Sequence, residues 1–465
     1  MLYCGESSLQ PQQITDLRSR VHLIQASSLN IVFDVNSGSL YTVDEIAWEL
    51  LLHYLDCGDW EQAREAMGRV DQEEVEQAID ELEELISEGL LFSSGELWPE
   101  FVPGKELGIK ALCLNMAHNC NLACRYCFVP EDIRCEEQIM SRETIIRALD
   151  FLLENTPYEY LTVDFFGGEP LLNFEGIKFA VDYALNQGKE KKWKFTVSTN
   201  TLLLGEEELS FFKEHNFSFV LSCDGRPKVH DLYRVTPGGQ GSSAVVTRRI
   251  REFLEAGAAD EYYVRGTFTR DNLDFTNDVL YLAGLGAKSI SLEPVVAPEQ
   301  MPYALKEDDI PELQVEYYRL ARALCELDRK GCGVDFYHYN LDLTGGPCAA
   351  KRLTGCGAGY HYLAVTPGGE LYPCHQLVGN REYLLGDVEQ GITVPELQEK
   401  FREAHVFRKK ECSSCWARFL CGGGCHAQAI TQGGSLQRPS PLACAVMQAR
   451  LNGALYYMAL KENTI

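Results

Sequence analysis

The sequence predicts an α/β fold built on a parallel sheet, with a small separate unit before it and a cysteine-rich lobe after it. Three observations predict this. Six short apolar runs alternate with six amphipathic segments over residues 109–335, the pattern of βα repeats that close a parallel sheet. Gly95–Lys105 carries Pro99, Pro103 and Gly104 and interrupts the periodicity. Eight of the 18 cysteines lie beyond residue 340.

A chain of 465 residues exceeds one ordinary core and implies several domains. Hydrophobic content of 45% and charged content of 24% suit a globular chain. No apolar run reaches membrane-spanning length, and Met1–Gly5 lacks the basic-then-apolar layout of a signal peptide, so a cytoplasmic location without membrane contact is expected. A formal charge of −26 argues against nucleic acid and against anionic lipid as partners. In a reducing compartment so many cysteines point to metal thiolates rather than disulfides.

Residues 1–97 read as the first unit. Val21–Gln25, Asn30–Val35 and Ser39–Thr42 have strand character, and Asn36-Ser37-Gly38 is a turn between the last two. Val43–Leu55 and Trp60–Met67 read as helices. A third starts at Asp71, with Glu74 at the capping-box position, and lines Val75, Ile79, Leu82 and Ile86 along one face before Gly89 ends it. Such a unit resembles a winged helix. Its polar positions are mainly Asp and Glu, which disfavours phosphate contact. It resembles the leader-peptide recognition elements of enzymes that modify ribosomal peptides, in which the leader adds a strand to a sheet edge. Residues 98–108 are the expected linker.

In the next segment, 109–335, strands are expected at Lys110–Met116, Leu161–Phe166, Lys194–Ser198, Ser218–Ser222, Tyr262–Thr267 and Ser289–Glu293. Helices are expected at Ser141–Asn155, Asn173–Gln187, Glu206–His215, Ser243–Gly257, Thr276–Gly284 and Ile310–Arg329. Sites on such sheets lie at the C-terminal strand ends.

The motifs fall there. Cys120-x3-Cys124-x2-Cys127 follows the first strand, and three thiolates on one loop can hold three corners of a [4Fe–4S] cube, leaving one iron open. Half a zinc site is the competing reading of the spacing alone. One strand later comes Gly167-Gly168-Glu169-Pro170, where glycines permit close backbone approach and a carboxylate can take an ammonium. Ser198-Thr199-Asn200 ends the third strand. Ser222-Cys223-Asp224-Gly225 ends the fourth, followed by His230-Asp231-Leu232-Tyr233-Arg234. The three-cysteine loop, with Phe128 after it, and these strand ends together resemble the radical S-adenosylmethionine (SAM) superfamily. The resemblance implies an open (β/α)6 partial barrel and a cluster at Cys120, Cys124 and Cys127 that reduces SAM to a 5′-deoxyadenosyl radical. It also implies SAM contacts from Gly167, Gly168, Glu169, Pro170, Ser198, Asn200, Ser222, Asp224 and Arg234. Arg234 suits the carboxylate because its fork is planar. Turn chemistry and a surface ion pair are the plainer reading of Ser222 and Arg234. The family usually has Asn-Gly where this chain has Asn200-Thr201, which implies a local backbone difference.

Residues 336–465 carry Cys356, then Gly369 and Cys374, then Cys412-x2-Cys415-x5-Cys421-x3-Cys425, and Cys444. This resembles the seven-cysteine SPASM extension of radical SAM enzymes, with Cys348 at an eighth position. The resemblance implies two auxiliary [4Fe–4S] clusters, three in all: auxiliary I on Cys348, Cys356, Cys374 and Cys425, and auxiliary II on Cys412, Cys415, Cys421 and Cys444. Auxiliary I is expected to face the SAM site. Cys4, Cys57, Cys113, Cys135, Cys223, Cys325 and Cys332 are left without a ligand role.

Longer stretches, among them Tyr263–Thr269, Glu293–Val296, Lys351–Cys356, Tyr372–Gln376 and Lys409–Cys412, resemble the maturases of six-cysteine-in-forty-five-residue (SCIFF) peptides. That likeness implies an oxidoreductase that installs thioether crosslinks, cysteine sulfur to carbon, in a Cys-rich precursor bound through its leader. It also implies an external donor such as flavodoxin or ferredoxin. Anaerobic sulfatase-maturing enzymes, which oxidise Ser or Cys to formylglycine, resemble the same barrel and auxiliary cysteines. An iron–sulfur electron carrier or scaffold is the non-enzymatic alternative.

Overall fold

The computed structural model describes residues 17–27, 29–68, 70–94, 108–134, 137–343 and 349–462. Cys4, Cys135, Cys348 and all but the last residue of the expected linker lie outside the described residues.

The N-terminal strands form as expected: β1 (Val21–Ala26), β2 (Leu29–Asp34) and β3 (Leu40–Val43) make an antiparallel sheet in that order. Helices α1 (Glu45–Cys57), α2 (Trp60–Ala66) and α3 (Gln72–Ser87) follow. Each starts at an aspartate whose carboxylate accepts a backbone N–H, namely Asp44, Asp59 and Asp71, which satisfies one orphan donor of the first turn. Side chains alternate across the pleat, so β2 presents Val32 to the helices and Ile31 and Phe33 to the opposite side. That opposite side belongs to the main core of the molecule. The sheet is therefore buried on both faces. His22 stacks on Trp416 at 3.7 Å, His22 Nε2 lies 2.8 Å from Asn452 Oδ1, and Arg418 donates to Asn36 Oδ1 at 2.7 Å. The first unit has its own helices but shares its sheet with the cysteine-rich lobe.

The six expected strands of the middle segment are present within two residues at each end. They are β4 (Ala111–Ala117), β5 (Tyr160–Gly167), β6 (Lys192–Thr199), β7 (Ser218–Ser222), β8 (Tyr262–Phe268) and β9 (Ser289–Pro294). A two-residue β10 (Asp335–Phe336) follows. All pair in parallel with the next in sequence. The crossover helices are α4 (Arg142–Glu154), α5 (Phe174–Gln187), α6 (Glu206–Glu214), α7 (Ser243–Ala256), α8 (Thr276–Gly284) and α9 (Ile310–Arg329). An order that steps one way without reversal curls the sheet into an open barrel wall. It puts every C-terminal strand end on one rim.

The far lobe continues that sheet. β11 (Tyr362–Val365) pairs in parallel with β4, and β12 (Glu370–Tyr372), β13 (Gly386–Asp387) and β14 (Gly391–Ile392) extend it antiparallel. The strands thus form one eleven-stranded sheet with β4, the strand that leads into the three-cysteine loop, near its middle. The last helix, α10 (Pro441–Glu462), packs on α9 and on the N-terminal sheet. Among the described residues no helix is long and apolar enough to cross a membrane.

Asp34 is wholly buried at the end of β2. Its carboxylate accepts from the backbone N–H of Asn36, Ser37 and Ser93 at 3.2, 2.9 and 3.0 Å and from the hydroxyls of Ser37 and Ser93. It joins the β2–β3 turn to the chain leaving α3. Asp34→Ala strands several buried donors at once, and a loss of about 3 kcal/mol is expected. Urea unfolding should show it, together with faster proteolysis within the first 94 residues.

Candidate active site and metal centres

The strand ends meet around the three-cysteine loop. Gly167 and Gly168 leave β5 against the backbone that leads from β4 to Cys120. A Cβ on Gly168 would lie 2.1 Å from the Asn119 carbonyl oxygen and one on Gly167 2.3 Å from that of Ala117. The backbone closes this approach with Gly168 N–H to Ala117 O at 2.7 Å and Glu169 N–H to Asn119 O at 3.1 Å. The glycines thus allow close approach, but of protein backbone to protein backbone. This presses the cysteine loop against Glu169.

Glu169 is buried. Its carboxylate accepts from Leu171 N–H at 3.1 Å, Thr199 Oγ1 at 2.7 Å and Asn200 N–H at 2.8 Å. Burial raises its pKa to about 7 against these three stabilising bonds. A buried carboxylate of this kind, beside the cysteine loop, is suited to an incoming ammonium. Pro170 opens the short helix that Glu169 caps. The Asn200 side chain faces the loop, donating to Asn121 Oδ1 at 2.6 Å and lying 3.6 Å from Cys120 Sγ. Ser198 is half-buried near the end of β6.

Thr201 has φ +70°, the left-handed region. The expected backbone difference at Asn200-Thr201 therefore takes a specific form: a buried β-branched residue holds a conformation that glycine adopts freely. Its hydroxyl has no hydrogen-bond partner among the described residues.

Asp224 gathers the other side of the site. It accepts from Tyr126 OH at 2.5 Å, Arg234 Nε at 3.0 Å and Thr267 N–H at 2.9 Å. Tyr126 lies between Cys124 and Cys127, so Asp224 ties the cysteine loop to β8 and to Arg234. The Arg234 pair is buried rather than the surface ion pair of the plainer reading. Among the described residues only Nε is taken, which leaves both Nη groups for a carboxylate. His230 sets the position of Arg234. Its Nδ1 accepts Asp224 N–H at 3.3 Å, its Nε2 is 2.9 Å from Ser242 Oγ, and that hydroxyl donates to the Arg234 carbonyl at 2.7 Å. The chain of bonds requires a neutral ring, and burial lowers its pKa to about 4. Ser222 is half-buried at the end of β7, in register with Arg265. Cys223 is buried, as core packing required.

The C-terminal cysteines fall into two mutually facing sets. Cys374 interacts electrostatically with Cys356 and Cys425. Cys412 interacts with Cys415, Cys421 and Cys444. These are the two expected groupings, except that Cys348 lies outside the described residues. Burial pushes the Cys120 and Cys412 thiols up to about 12 and those of Cys124 and Cys444 to about 11. Iron binding at these positions would therefore release protons. Among the described residues no three Cys, His, Asp or Glu side chains close around one ion. The donor set fits a larger anionic group: three or four thiols per set, backbone N–H groups aimed at sulfur, and a buried cation nearby. Leu122 N–H reaches Cys120 Sγ at 3.4 Å, Gln376 N–H reaches Cys374 Sγ at 3.2 Å, and Gln448 Nε2 lies 3.6 Å from Cys415 Sγ. Arg234 faces Cys124, Lys409 faces the Cys412 set and Arg450 faces Cys421.

Sequence reasoning assigned no role to several residues here. His375, next to Cys374, packs on Phe166 at 4.6 Å and Phe128 at 5.8 Å, beside Gly167 and the cysteine loop. Glu293 on β9 accepts from Arg450 Nη1 at 3.0 Å, and that nitrogen is 3.1 Å from His338 Nδ1. Despite burial, His338, Arg450 and Arg265 hold the Glu293 carboxyl down at about 2. Glu293, Arg265, Trp416 and Cys412, Cys415, Cys421, Cys425 and Cys444 line a cavity of about 1030 Å³ between the β9 end and the last lobe. Tyr372–Gln376 and Glu293–Val296 were visible as motif strings, but nothing in one dimension places them beside each other.

The Radical SAM superfamily model matches residues 114–274. Residues 114–274 are thus similar to that superfamily. Members of that superfamily bind SAM and a [4Fe–4S] cluster, and all three loop cysteines, Glu169 and Arg234 lie within the matched span. A serine-type anaerobic sulfatase-maturating enzyme of Klebsiella aerogenes is 26% identical over 66% of this chain and 77% of its own length. Among solved structures, anSMEcpe with bound AdoMet and Kp18Cys peptide superposes with a TM-score of 0.64 at 22% identity, over 77% of this chain and all of that one. Streptococcus suis SuiB bound to precursor peptide SuiA superposes with a TM-score of 0.53 at 17% identity, over 91% of this chain and 98% of that one. The SuiB likeness covers more than residues 109–465 supply, so it extends from the matched segment into the N-terminal unit.

Buried imidazoles make the iron-free protein acid-sensitive. His22, His230 and His375 are lowered to about 4 and His338 and His426 to about 3, each chiefly by burial. The unfolded chain takes up protons near pH 6.5 that these rings refuse when folded. Stability is full above that pH and falls as pH drops toward 4, by up to about 1.4 kcal/mol per pH unit for each ring. Glu169 and Asp164, raised by burial to about 7 and 6, act oppositely, losing stability as pH rises through those values. Five rings outweigh two carboxyls. The urea midpoint of the iron-free chain should be clearly lower at pH 5 than at pH 7.

Proposed function

We propose that this protein is a radical SAM maturase that modifies a ribosomally made, Cys-rich precursor peptide, and that its product is a thioether crosslink from a cysteine sulfur to a carbon. The observation that carries the reading is the convergence of ten of the eleven assigned cysteines into three sets. One is beside Glu169 and Arg234; the other two are in a lobe joined to an N-terminal strand-edge unit. Three [4Fe–4S] clusters then occupy Cys120, Cys124 and Cys127; Cys348, Cys356, Cys374 and Cys425; and Cys412, Cys415, Cys421 and Cys444. SAM with the first cluster supplies hydrogen-atom abstraction from an unactivated carbon.

The residues of the chain do the rest. Glu169 takes the ammonium of SAM, and the two Nη groups of Arg234, with Ser222, take its carboxylate. Gly167, Gly168, Pro170, Ser198, Asn200 and Asp224 shape the pocket, and Asp224 holds Arg234 in place. The set with Cys374 faces the SAM side through His375, Phe166 and Phe128, and receives the substrate thiol. The set with Cys412 faces the N-terminal unit through Trp416 and relays electrons from an external donor such as flavodoxin or ferredoxin. The cavity beside Glu293 and Arg265 admits the core peptide. Residues 1–97 bind the leader along the outer edge of β3, residues 109–335 carry the barrel and 336–465 the auxiliary lobe, joined to the first unit through 98–108. The chain works in the cytoplasm.

Formylglycine formation is the second reading, favoured by the likeness to anSMEcpe over that protein's whole length. Anaerobic incubation with a Cys-rich peptide and SAM, followed by mass spectrometry, separates the two. A loss of two hydrogens with one thiol consumed per crosslink is expected. An aldehyde at a single Ser or Cys, without crosslinks, rejects the thioether reading.

Two further outcomes are expected. Changing Cys120, Cys124 and Cys127 together to Ala abolishes 5′-deoxyadenosine formation and leaves iron for two clusters; undiminished SAM cleavage would refute the assignment. The shared core makes deletion of residues 1–97 an unsuitable test, since Ile24, Ile31 and Phe33 pack on the lobe. Tyr41→Pro and Thr42→Pro are better, because neighbouring N–H groups of an edge strand point to opposite sides. The variant that removes the outward N–H should weaken leader binding at least tenfold, by calorimetry, and spare SAM cleavage without peptide.

A further inference from the structure

Lys409 is wholly buried in the C-terminal lobe. Its ammonium donates to the Gly423 carbonyl at 2.8 Å. Among the described residues no carboxylate pairs with it. What faces it are Cys412, Cys421, Cys425 and Cys444, that is, three members of one cysteine set and one of the other. Two other cations reach these cysteines, Arg450 toward Cys421 and Arg418 toward Cys415, each with hydrogen-bond partners of its own. Arg450 bonds Glu293, and Arg418 bonds Asn36 and the Cys415 carbonyl. Two carboxylates also reach these sets, Glu411 toward Cys444 and Glu293 toward Cys425.

The local backbone is built around this contact. Lys409 O accepts the N–H groups of Cys412 and Ser413 at 3.0 and 3.2 Å, which closes the turn that presents Cys412. Gly422, Gly423 and Gly424 take φ of +66, +88 and +76°, a run that side-chain-bearing residues do not sustain. The run aims the Gly423 and Gly424 N–H groups at Cys421, forming a small anion-binding nest, and turns the Gly423 carbonyl to Lys409. A buried ammonium with one neutral acceptor is costly unless negative charge lies close by. Protonated thiols do not provide it. Thiolates bound to iron do.

We propose that Lys409 is a positioning residue for both auxiliary sets: its fixed positive charge, held between them by Gly423, raises the reduction potential of an iron–sulfur cluster bound at Cys412, Cys415, Cys421 and Cys444. The inference rests on the cluster assignment above and goes beyond it by naming the residue that tunes the centre. A cation beside a cluster favours the form that carries one more electron.

The test is an EPR-monitored redox titration of full-length protein, reconstituted anaerobically, with iron counted on the same samples. Lys409→Gln keeps a donor for Gly423 O and removes the charge; Lys409→Arg keeps the charge. The expected result is wild-type iron in both, an auxiliary potential shifted negative in Lys409→Gln, and a wild-type potential in Lys409→Arg. An unshifted potential in iron-replete Lys409→Gln overturns the proposal and reduces Lys409 to a structural staple. If Lys409→Gln fails to accumulate, Lys409→Arg decides: an iron-replete protein with wild-type potential supports the charge role, and a markedly lower potential overturns it. Wild-type protein that binds iron for one cluster alone overturns the cluster assignment itself, a failure distinct from the others.

Discussion

The site depends on one buried carboxylate, Asp224. It joins the cysteine loop, the segment that carries Arg234 and strand β8, alongside the backbone bonds from Ala123 N–H to Val235 O at 2.7 Å and from Arg125 N–H to Tyr233 O at 2.9 Å. One oxygen takes the Tyr126 hydroxyl from between Cys124 and Cys127; the other takes Arg234 Nε and the Thr267 N–H. A buried charge of this kind is costly unless paired and fully bonded, and removing one partner of such a pair typically costs about 3–5 kcal/mol. That cost fixes geometry: Asp224 cannot relax toward solvent, so Tyr126 and Arg234 cannot drift from it. His230 completes the arrangement by bonding the Asp224 backbone on one side and, through Ser242, the Arg234 carbonyl on the other. The motif from His230 to Arg234 is thus a frame that aims a guanidinium past the cysteine loop.

Much of this was legible in the sequence, and the reason is local. The six strands of the barrel are short and apolar and are separated by amphipathic helices, so period alone locates them. The chemistry-bearing residues follow strand ends, where a parallel sheet must expose them. What the sequence could not reveal is contact between distant segments. His375 was readable only as the neighbour of a cysteine, yet it packs on Phe166 and Phe128 from the first two strand ends. Glu293 and Arg450 lie 157 residues apart and form a half-buried pair at the cavity wall. Thr201 is a different case. Its φ of +70° goes against local preference, so nothing in the sequence signals it.

The N-terminal unit shows why domain boundaries read from composition have limits. Its helices and strands formed where their patterns placed them, while the proline- and glycine-containing segment expected as the boundary lies outside the described residues. The burial of both sheet faces was not visible, because Ile24, Ile31 and Phe33 are equally consistent with a private core. In the structure they pack on the lobe that carries the last cysteines, and His22 lies flat on Trp416, the residue after Cys415. A strand added to the edge of β3 would extend a sheet already rigidly joined to that lobe. Recognition of a leader and placement of the core peptide would then share one reference frame.

Charge supplies the last step. The chain carries a formal −26, which argues against polyanionic partners, yet buried cations are concentrated at its cysteines. Arg234 stands by Cys124, Arg450 by Cys421 and Lys409 by four thiols at once. Desolvating a cation beside protonated, neutral thiols gains little, and a protein with no use for the charge could fill those places with leucine or methionine. The arrangement is economical only if each set of thiols holds net negative charge. Thiolates on a redox-active iron–sulfur centre carry such charge in both oxidation states and carry more of it after accepting an electron. The acidic exterior then keeps competing anions away from the interior cations, whose fields act on the cysteine sets.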